Sequence, residues 1–228
     1  MTLAPQLPDW DSVDLVNAMQ FLEDCPIRVD NEVHLAEGRK PALVVPAGPM
    51  PQYYPDARII NERHISVPDV TFFAMDEWAI ELGESAPGSW EGSFQFPLRS
   101  QFFDCIDSEL LPPQTQHNFP SSATIDDYGK RSADAGGADA CFGGIGLNRH
   151  IAFWKPHLGH EFGGNRAAYR TTRSLLVNLH PLTGAQNAFT SFAGDWSNVL
   201  PRPVRIGPAE ILGPNVAAFG STAISGQA

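Results

Sequence analysis

Short apolar runs alternate with amphipathic segments along this chain. Ala42-Leu43-Val44-Val45 is an uninterrupted apolar run, the pattern of a strand buried on both faces of a parallel sheet. Val67–Ala74, Ala138–Phe142, Ser174–Leu179 and Asn215–Phe219 are further strand candidates. Asp11–Asp24 reads as a helix: Val13, Val16 and Phe21, with Leu15, Met19 and Leu22, form a stripe, Asp11 or Ser12 can cap it, and Pro26 follows. Gln52–His64 and Ile125–Ala135 have helical character. Ser93–Asp104 is amphipathic with Pro97 in its first turn, where proline is tolerated. Val204-Arg205-Ile206 precedes a turn and a short helix over Gly207–Leu212. Strands alternating with helices call for an α/β domain whose mostly parallel sheet carries helices on both faces. The chain length suits one such domain over residues 1–228.

In open parallel sheets, ligands bind beyond the carboxyl ends of the strands, so the polar residues there are the candidate chemistry. The first run ends in Pro46-Ala47-Gly48-Pro49-Met50-Pro51 before a helix. Strand, glycine loop and helix together make an anion site, because a helix N-terminus offers free N–H groups. The prolines remove some of those donors. The second run ends at Asp76-Glu77, two carboxylates at a strand end, of which one is expected to face the cleft. The third breaks into Gly143-Gly144-Ile145-Gly146 and delivers Asn148, Arg149 and His150 before apolar residues resume at Ile151–Trp154. Glycine there allows close backbone approach to a ligand; a plain strand-to-helix turn has the same pattern. His157, His160 and Glu161 match metal-ligand spacing only loosely, and a solvated loop accounts for them.

Composition narrows the function classes. The formal net charge is −11 with no basic block, which argues against nucleic acid, whose binding needs clustered Lys and Arg. No apolar run approaches the ~20 residues of a membrane span, and the N-terminus lacks a signal-peptide pattern. The three cysteines, Cys25, Cys105 and Cys141, are widely spaced and suit reduced thiols of a cytoplasmic protein. Cys141, inside an apolar run, reads as a core residue.

Two of these stretches carry a resemblance. Phe73-Ala-Met-Asp-Glu-Trp78 resembles the Met-Asp-Glu-aromatic motif of glucosamine-6-phosphate deaminases, also called isomerases. Gly143-Gly-Ile-Gly-Leu-Asn-Arg-His-Ile-Ala-Phe-Trp-Lys-Pro156 is similar to their Gly-Gly-x-Gly-x-Asp/Asn-Gly-His-Ile-Ala-Phe-Asn-Glu-Pro signature. Ser93–Asp104 is similar to the helix between those motifs, and Pro46–Pro51 sits where the family has a Gly-Gly-Thr-Pro phosphate loop. The resemblance covers roughly residues 40–220 and implies a Rossmann-like doubly wound fold shared with 6-phosphogluconolactonases. It implies an aldose–ketose isomerisation of an amino-sugar phosphate through an enediol, without metal or cofactor. Asp76 would be the base, His150 would open the ring, and Asn148 would line the same face. Gly144, Ile145 and Gly146 would contact the sugar and Ala47, Gly48, Pro49 and Met50 the phosphate; Glu77, Arg149 and Lys155 complete the candidate contacts. The implied partner is a small sugar phosphate. Family members form both monomers and higher oligomers, so a homo-oligomer is compatible with the resemblance.

The departures are specific. Asn148 replaces the aspartate of many members. Arg149 stands where glycine is usual, Lys155 replaces a glutamate, and Met50 replaces a threonine. Phe219-Gly220-Ser221 begins like the Gly-Ser-x-Lys motif, but Thr222–Ala228 contains no lysine, leaving Arg149, Arg170 and Arg173 as candidate phosphate cations. Three readings stay open: a diverged sugar-phosphate isomerase/deaminase, a non-catalytic sugar-phosphate-binding protein, and a lactonase-like hydrolase on the same fold.

Overall fold

The computed structural model describes residues 40–46, 53–146, 148–214 and 216–220. The helix expected at Asp11–Asp24 and the loop Ala47–Met50 lie outside the described residues. Five parallel strands form the main sheet: β1 (Ala42–Val45), β2 (Thr71–Ala74), β4 (His117–Asn118), β5 (Ala140–Gly144) and β8 (Val216–Gly220), in the order β4-β2-β1-β5-β8. The chain first builds outward from β1 through β2 to β4, then returns to the other side of β1 with β5. The order therefore reverses between β1 and β5, and a crevice opens at such a switch point.

Alternation within the strands supplies both faces. Leu43, Val45, Phe72 and Ala74 pack with Tyr53, Ala57 and Ile60 of α1 (Tyr53–Glu62) and Leu98 of α2 (Gln95–Ser100). Ala42, Val44, Phe73 and Cys141 pack on the opposite side with Tyr128 of α3 (Ile125–Asp134) and Ile211 of α6 (Pro208–Leu212). Phe72 meets Phe102 and Phe103 edge-on at 5.7 and 5.3 Å, pairs worth about 0.5–1.5 kcal/mol each beyond burial. Burial in β5 pushes the Cys141 thiol up to about 12, which leaves it inert.

Several elements differ from the sequence reading. The second strand begins at Thr71 rather than Val67, because Pro68 has no N–H and Val70 N–H turns back to the Val67 carbonyl at 3.1 Å. The Ser93–Asp104 helix is shorter: α2 ends at Ser100 and a separate 3₁₀ turn covers Phe103–Cys105. The segment after Pro156 is a 3₁₀ helix to Phe162, followed by α4 (Arg166–Arg170). A second, antiparallel sheet was not expected. It contains β3 (Asp76–Ala79), β7 (Arg202–Arg205) and β6 (Leu175–Leu176), in the order β3-β7-β6. Helix α5 (Pro181–Ser191) was not expected either; its first turn is built from Pro181 and the His180 imidazole, which accepts from Leu182 N–H at 3.1 Å. Among the described residues, no helix is long and apolar enough to cross a membrane.

Candidate active site

The carboxyl ends of β2, β1 and β5 lie side by side, and Asp76 and the turn to His150 follow β2 and β5 in the chain. After Ala74, Met75 N–H still bonds to the Val45 carbonyl at 3.0 Å. The chain then leaves the main sheet and enters the antiparallel one at Asp76, opposite Arg205. This change of sheet fixes Asp76 at the mouth of the switch point. Its side chain is buried, and among the described residues one carboxylate oxygen has no hydrogen-bond partner. Burial, and then the charge of Glu77, raise the Asp76 carboxyl well above the usual carboxylate range, while Arg205 pulls it down.

Glu77 has a different role from its neighbour. Its Oε1 accepts from the N–H groups of Trp78 at 2.8 Å and Phe94 at 3.0 Å. Its Oε2 accepts from the Ser93 hydroxyl at 2.7 Å and Gln95 N–H at 3.0 Å. The carboxylate thus satisfies the free donors at the start of α2 and ties that helix to β3. Of the two adjacent carboxylates, Asp76 keeps an unengaged oxygen and Glu77 serves as an anchor.

The turn after β5 is closed by Gly146 N–H to the His150 carbonyl at 2.9 Å and Arg149 N–H to the Gly146 carbonyl at 2.8 Å. A Cβ on Gly146 would lie 2.1 Å from Cε1 of His150, so glycine is required for the imidazole to sit there. Arg149 has φ +60°, and Ala152 and Phe153 follow at +46° and +58°. Left-handed backbone is costly for non-glycine residues and tends to concentrate at functional sites. The Arg149 side chain is exposed. Gly144 and Ile145 are exposed beside it, at the end of β5.

His150 is held on two sides. Its ring stacks on Phe153, with centroids 5.5 Å apart and planes 9° apart. Its Nδ1 bonds to Asn148 Oδ1. The Asn148 amide is oriented in turn by donating to the buried Thr183 hydroxyl of α5 at 3.2 Å. With the amide oxygen facing Nδ1, the imidazole carries its proton on Nδ1 and keeps the Nε2 lone pair free. Burial, then Lys155 and His180, lower the His150 pKa to about 4, so it is neutral near pH 7. Thr183 and α5 carried no signal in the sequence; the contact joins residues far apart in the chain.

Lys155, in the place of the family's glutamate, is buried, and among the described residues its Nζ reaches only the Asn178 carbonyl, at 3.5 Å. Burial, then Arg205, lower its pKa to about 8. Arg205 is also fully buried. Its guanidinium lies 3.5 Å over the Trp154 ring, and Trp154 Nε1–H is fixed on the Ile206 carbonyl at 2.8 Å. Burial lowers Arg205 to about 9, against the pull of Tyr169, Asp76 and Glu161. Electrostatically, Lys155 acts on His150, and Arg205 acts on both Lys155 and Asp76. Arg205 was not expected at the site. Of the cations named from sequence, Arg173 is engaged elsewhere, on the Gly129 carbonyl at 3.0 Å and Glu210 at 3.5 Å, and Arg170 lies in α4.

Comparison with known proteins supplies the family. No protein-family model matches the chain. A glucosamine-6-phosphate deaminase of Shewanella halifaxensis is 29% identical over 157 residues, covering 67% of this chain and 54% of that protein, so the chain spans about half the length of this relative. A glucosamine-6-phosphate deaminase of Porphyromonas gingivalis is 34% identical over 213 residues, covering 90% of this chain and 72% of that protein. Among solved structures, a monomeric glucosamine-6-phosphate deaminase of the NagB superfamily superposes with a TM-score of 0.71 at 19% identity, covering 93% of this chain and 79% of the other. A 6-phosphogluconolactonase from Thermotoga maritima superposes at 0.57 and 16% identity, covering 87% and 77%. The two structures agree on the fold, and the Porphyromonas match extends over most of both chains: this chain belongs to the glucosamine-6-phosphate deaminase family.

Proposed function

We propose that this chain is a sugar-phosphate isomerase/deaminase that acts on an amino-sugar phosphate such as glucosamine 6-phosphate. The observation that carries this reading is Asp76: a buried carboxyl, raised in pKa, just after β2, with one oxygen that has no hydrogen-bond partner among the described residues; a neutral, oriented imidazole follows β5. A base is most effective when its pKa approaches the working pH, and burial moves Asp76 in that direction.

In this scheme the neutral His150 accepts the C1 hydroxyl proton at Nε2 as the C1–O5 bond breaks, and returns it to O5. Asp76 then takes the C2 proton, and electrons move to form the C1–C2 enediol-type double bond. Asp76 returns a proton to C1, leaving a ketimine at C2. Water adds to that carbon and ammonia departs, giving the 2-ketose phosphate. Asn148 and Thr183 keep His150 in the required tautomer, and Glu77 positions β3 against α2. The Gly144–Gly146 backbone meets the sugar. The loop Ala47–Met50, between β1 and α1, receives the phosphate; the strand–loop–helix order supports this assignment. The exposed Arg149 is available to the same anion.

Incubation with glucosamine 6-phosphate tests the reading: ammonia and fructose 6-phosphate are expected in equal amounts. Absence of both from the unaltered protein would remove it. A second reading, lactonase-like hydrolysis, is favoured by the free Nε2 of a neutral His150, which can activate water. It gives Asp76 no task, so lactone hydrolysis that survives Asp76→Asn would support it instead.

A further inference from the structure

The scheme above leaves Lys155 and Arg205 without a task, yet burying two cations together is unfavourable unless something compensates. Arg205 is fully buried, and among the described residues none of its three nitrogens has a hydrogen-bond partner. Lys155 spends one donor on a long contact to the Asn178 carbonyl. Among the described residues, no carboxylate closes an ion pair with either. Asp76 faces Arg205 across the β3–β7 ladder and still keeps an oxygen without a partner. The Trp154 face fixes the plane of the guanidinium, and its buried N–H edges have no hydrogen-bond partner among the described residues. A fork of that kind matches a planar pair of oxygens.

The position within the site identifies which anion. Arg205 lies opposite the proposed base, and Lys155 acts on His150, the group assigned to ring opening. Both cations therefore belong to the C1–C2 end of the ligand, whereas the phosphate at C6 belongs to the loop after β1. The geometry points to Arg205 and Lys155 as an oxyanion subsite for the reacting end of the ligand, taking a planar C1 carboxylate or the enediolate that shares its shape and charge. This inference rests on the sugar-phosphate reading of the site and adds a specificity to it: a preference for ligands anionic at C1. Neither cation was anticipated in this role, since Lys155 stands where the family's glutamate would carry the opposite charge.

Titration calorimetry with two probes of equal length tests it. 6-Phosphogluconate carries a carboxylate at C1, and sorbitol 6-phosphate carries a CH₂OH there; the phosphate end is common to both. The expected result is at least a tenfold tighter Kd for 6-phosphogluconate. In Lys155→Gln that ratio falls to about threefold or less. Arg205→Lys, which keeps the charge but loses the fork, also reduces it and serves if Lys155→Gln does not fold. Equal affinity of the two probes for the unaltered protein overturns the oxyanion subsite and leaves the sugar-phosphate reading intact. A preference that persists undiminished in both variants places the anion elsewhere and overturns it as well. If neither probe binds, the sugar-phosphate reading falls, and the subsite with it.

Discussion

Asp56 offers a sharp quantitative test of how the core beside the site is built. It lies in the first turns of α1, fully buried, and among the described residues neither carboxylate oxygen has a partner. Burial alone raises its pKa from 3.8 to about 8. The folded chain therefore holds a proton on Asp56 across a range in which the unfolded chain has released it. The sign follows: the stabilising contribution is complete below pH 3.8, shrinks as pH rises, and is gone above about 8. At about 1.4 kcal/mol per pH unit, the change between pH 5 and 8 is at most about 4 kcal/mol. Relaxation and water penetration around a buried charge lower such figures, and even about 2 kcal/mol is a large share of the ~5–15 kcal/mol that holds a domain together. Asp56→Asn removes the titration while keeping the shape of the protonated acid. Urea unfolding of both proteins at pH 5, 7 and 8 measures the effect. The two should agree within about 1 kcal/mol at pH 5, and the variant should gain about 2 kcal/mol on the parent by pH 8. A stability difference that does not change with pH would refute the reasoning, because it would mean that Asp56 titrates alike in both states.

Three further substitutions probe the scaffold. Glu77→Gln leaves two of the four donors around that carboxylate facing an amide N–H₂; at about 1–3 kcal/mol per buried unsatisfied donor, the expected loss is about 3 kcal/mol, or about 6–12 °C in Tm. A variant as stable as the parent would contradict the anchoring role. Arg149→Gly removes a non-glycine residue from φ +60° and should stabilise by about 1 kcal/mol, read as a rise of about 2–4 °C in Tm; a fall would show that the arginine side chain matters more than its backbone strain. Gly146→Ala places a Cβ inside the His150 ring position and should lower kcat/KM for the sugar phosphate at least tenfold with the circular dichroism spectrum retained. Unchanged kinetics would mean that the imidazole is not needed where it stands.

The elements that were legible in the sequence are those defined by local pattern. β1 was read to the residue because four apolar side chains in a row, bounded by prolines, have no competing interpretation. Asp76 and the Gly143–His150 turn were legible because each sits where an apolar strand ends. What escaped was non-local. β3 starts at Asp76 itself, and only its pairing with β7, over a hundred residues later, makes a strand of it. Arg205 carried no site signal in the sequence; its guanidinium is buried over the Trp154 face, which comes from another part of the chain. Glu77 reads as half of a charge pair until Ser93 and the start of α2 are seen to fold back onto it. α5 has no clear apolar stripe, so its Thr183 contact to Asn148 could not be foreseen. At Arg149 the sequence showed an unusual residue, and the left-handed backbone supplies its physical cost.

In the proposed reaction Asp76 takes the proton from C2 of an amino-sugar phosphate. Glucosamine 6-phosphate carrying deuterium at C2, incubated in ordinary water and followed by NMR, tests this directly. The unaltered protein should release the C2 deuterium, and Asp76→Asn should slow that release by at least a thousandfold while still binding the sugar phosphate. Deuterium retained at C2 by the unaltered protein, or lost equally fast in Asp76→Asn, would contradict the account.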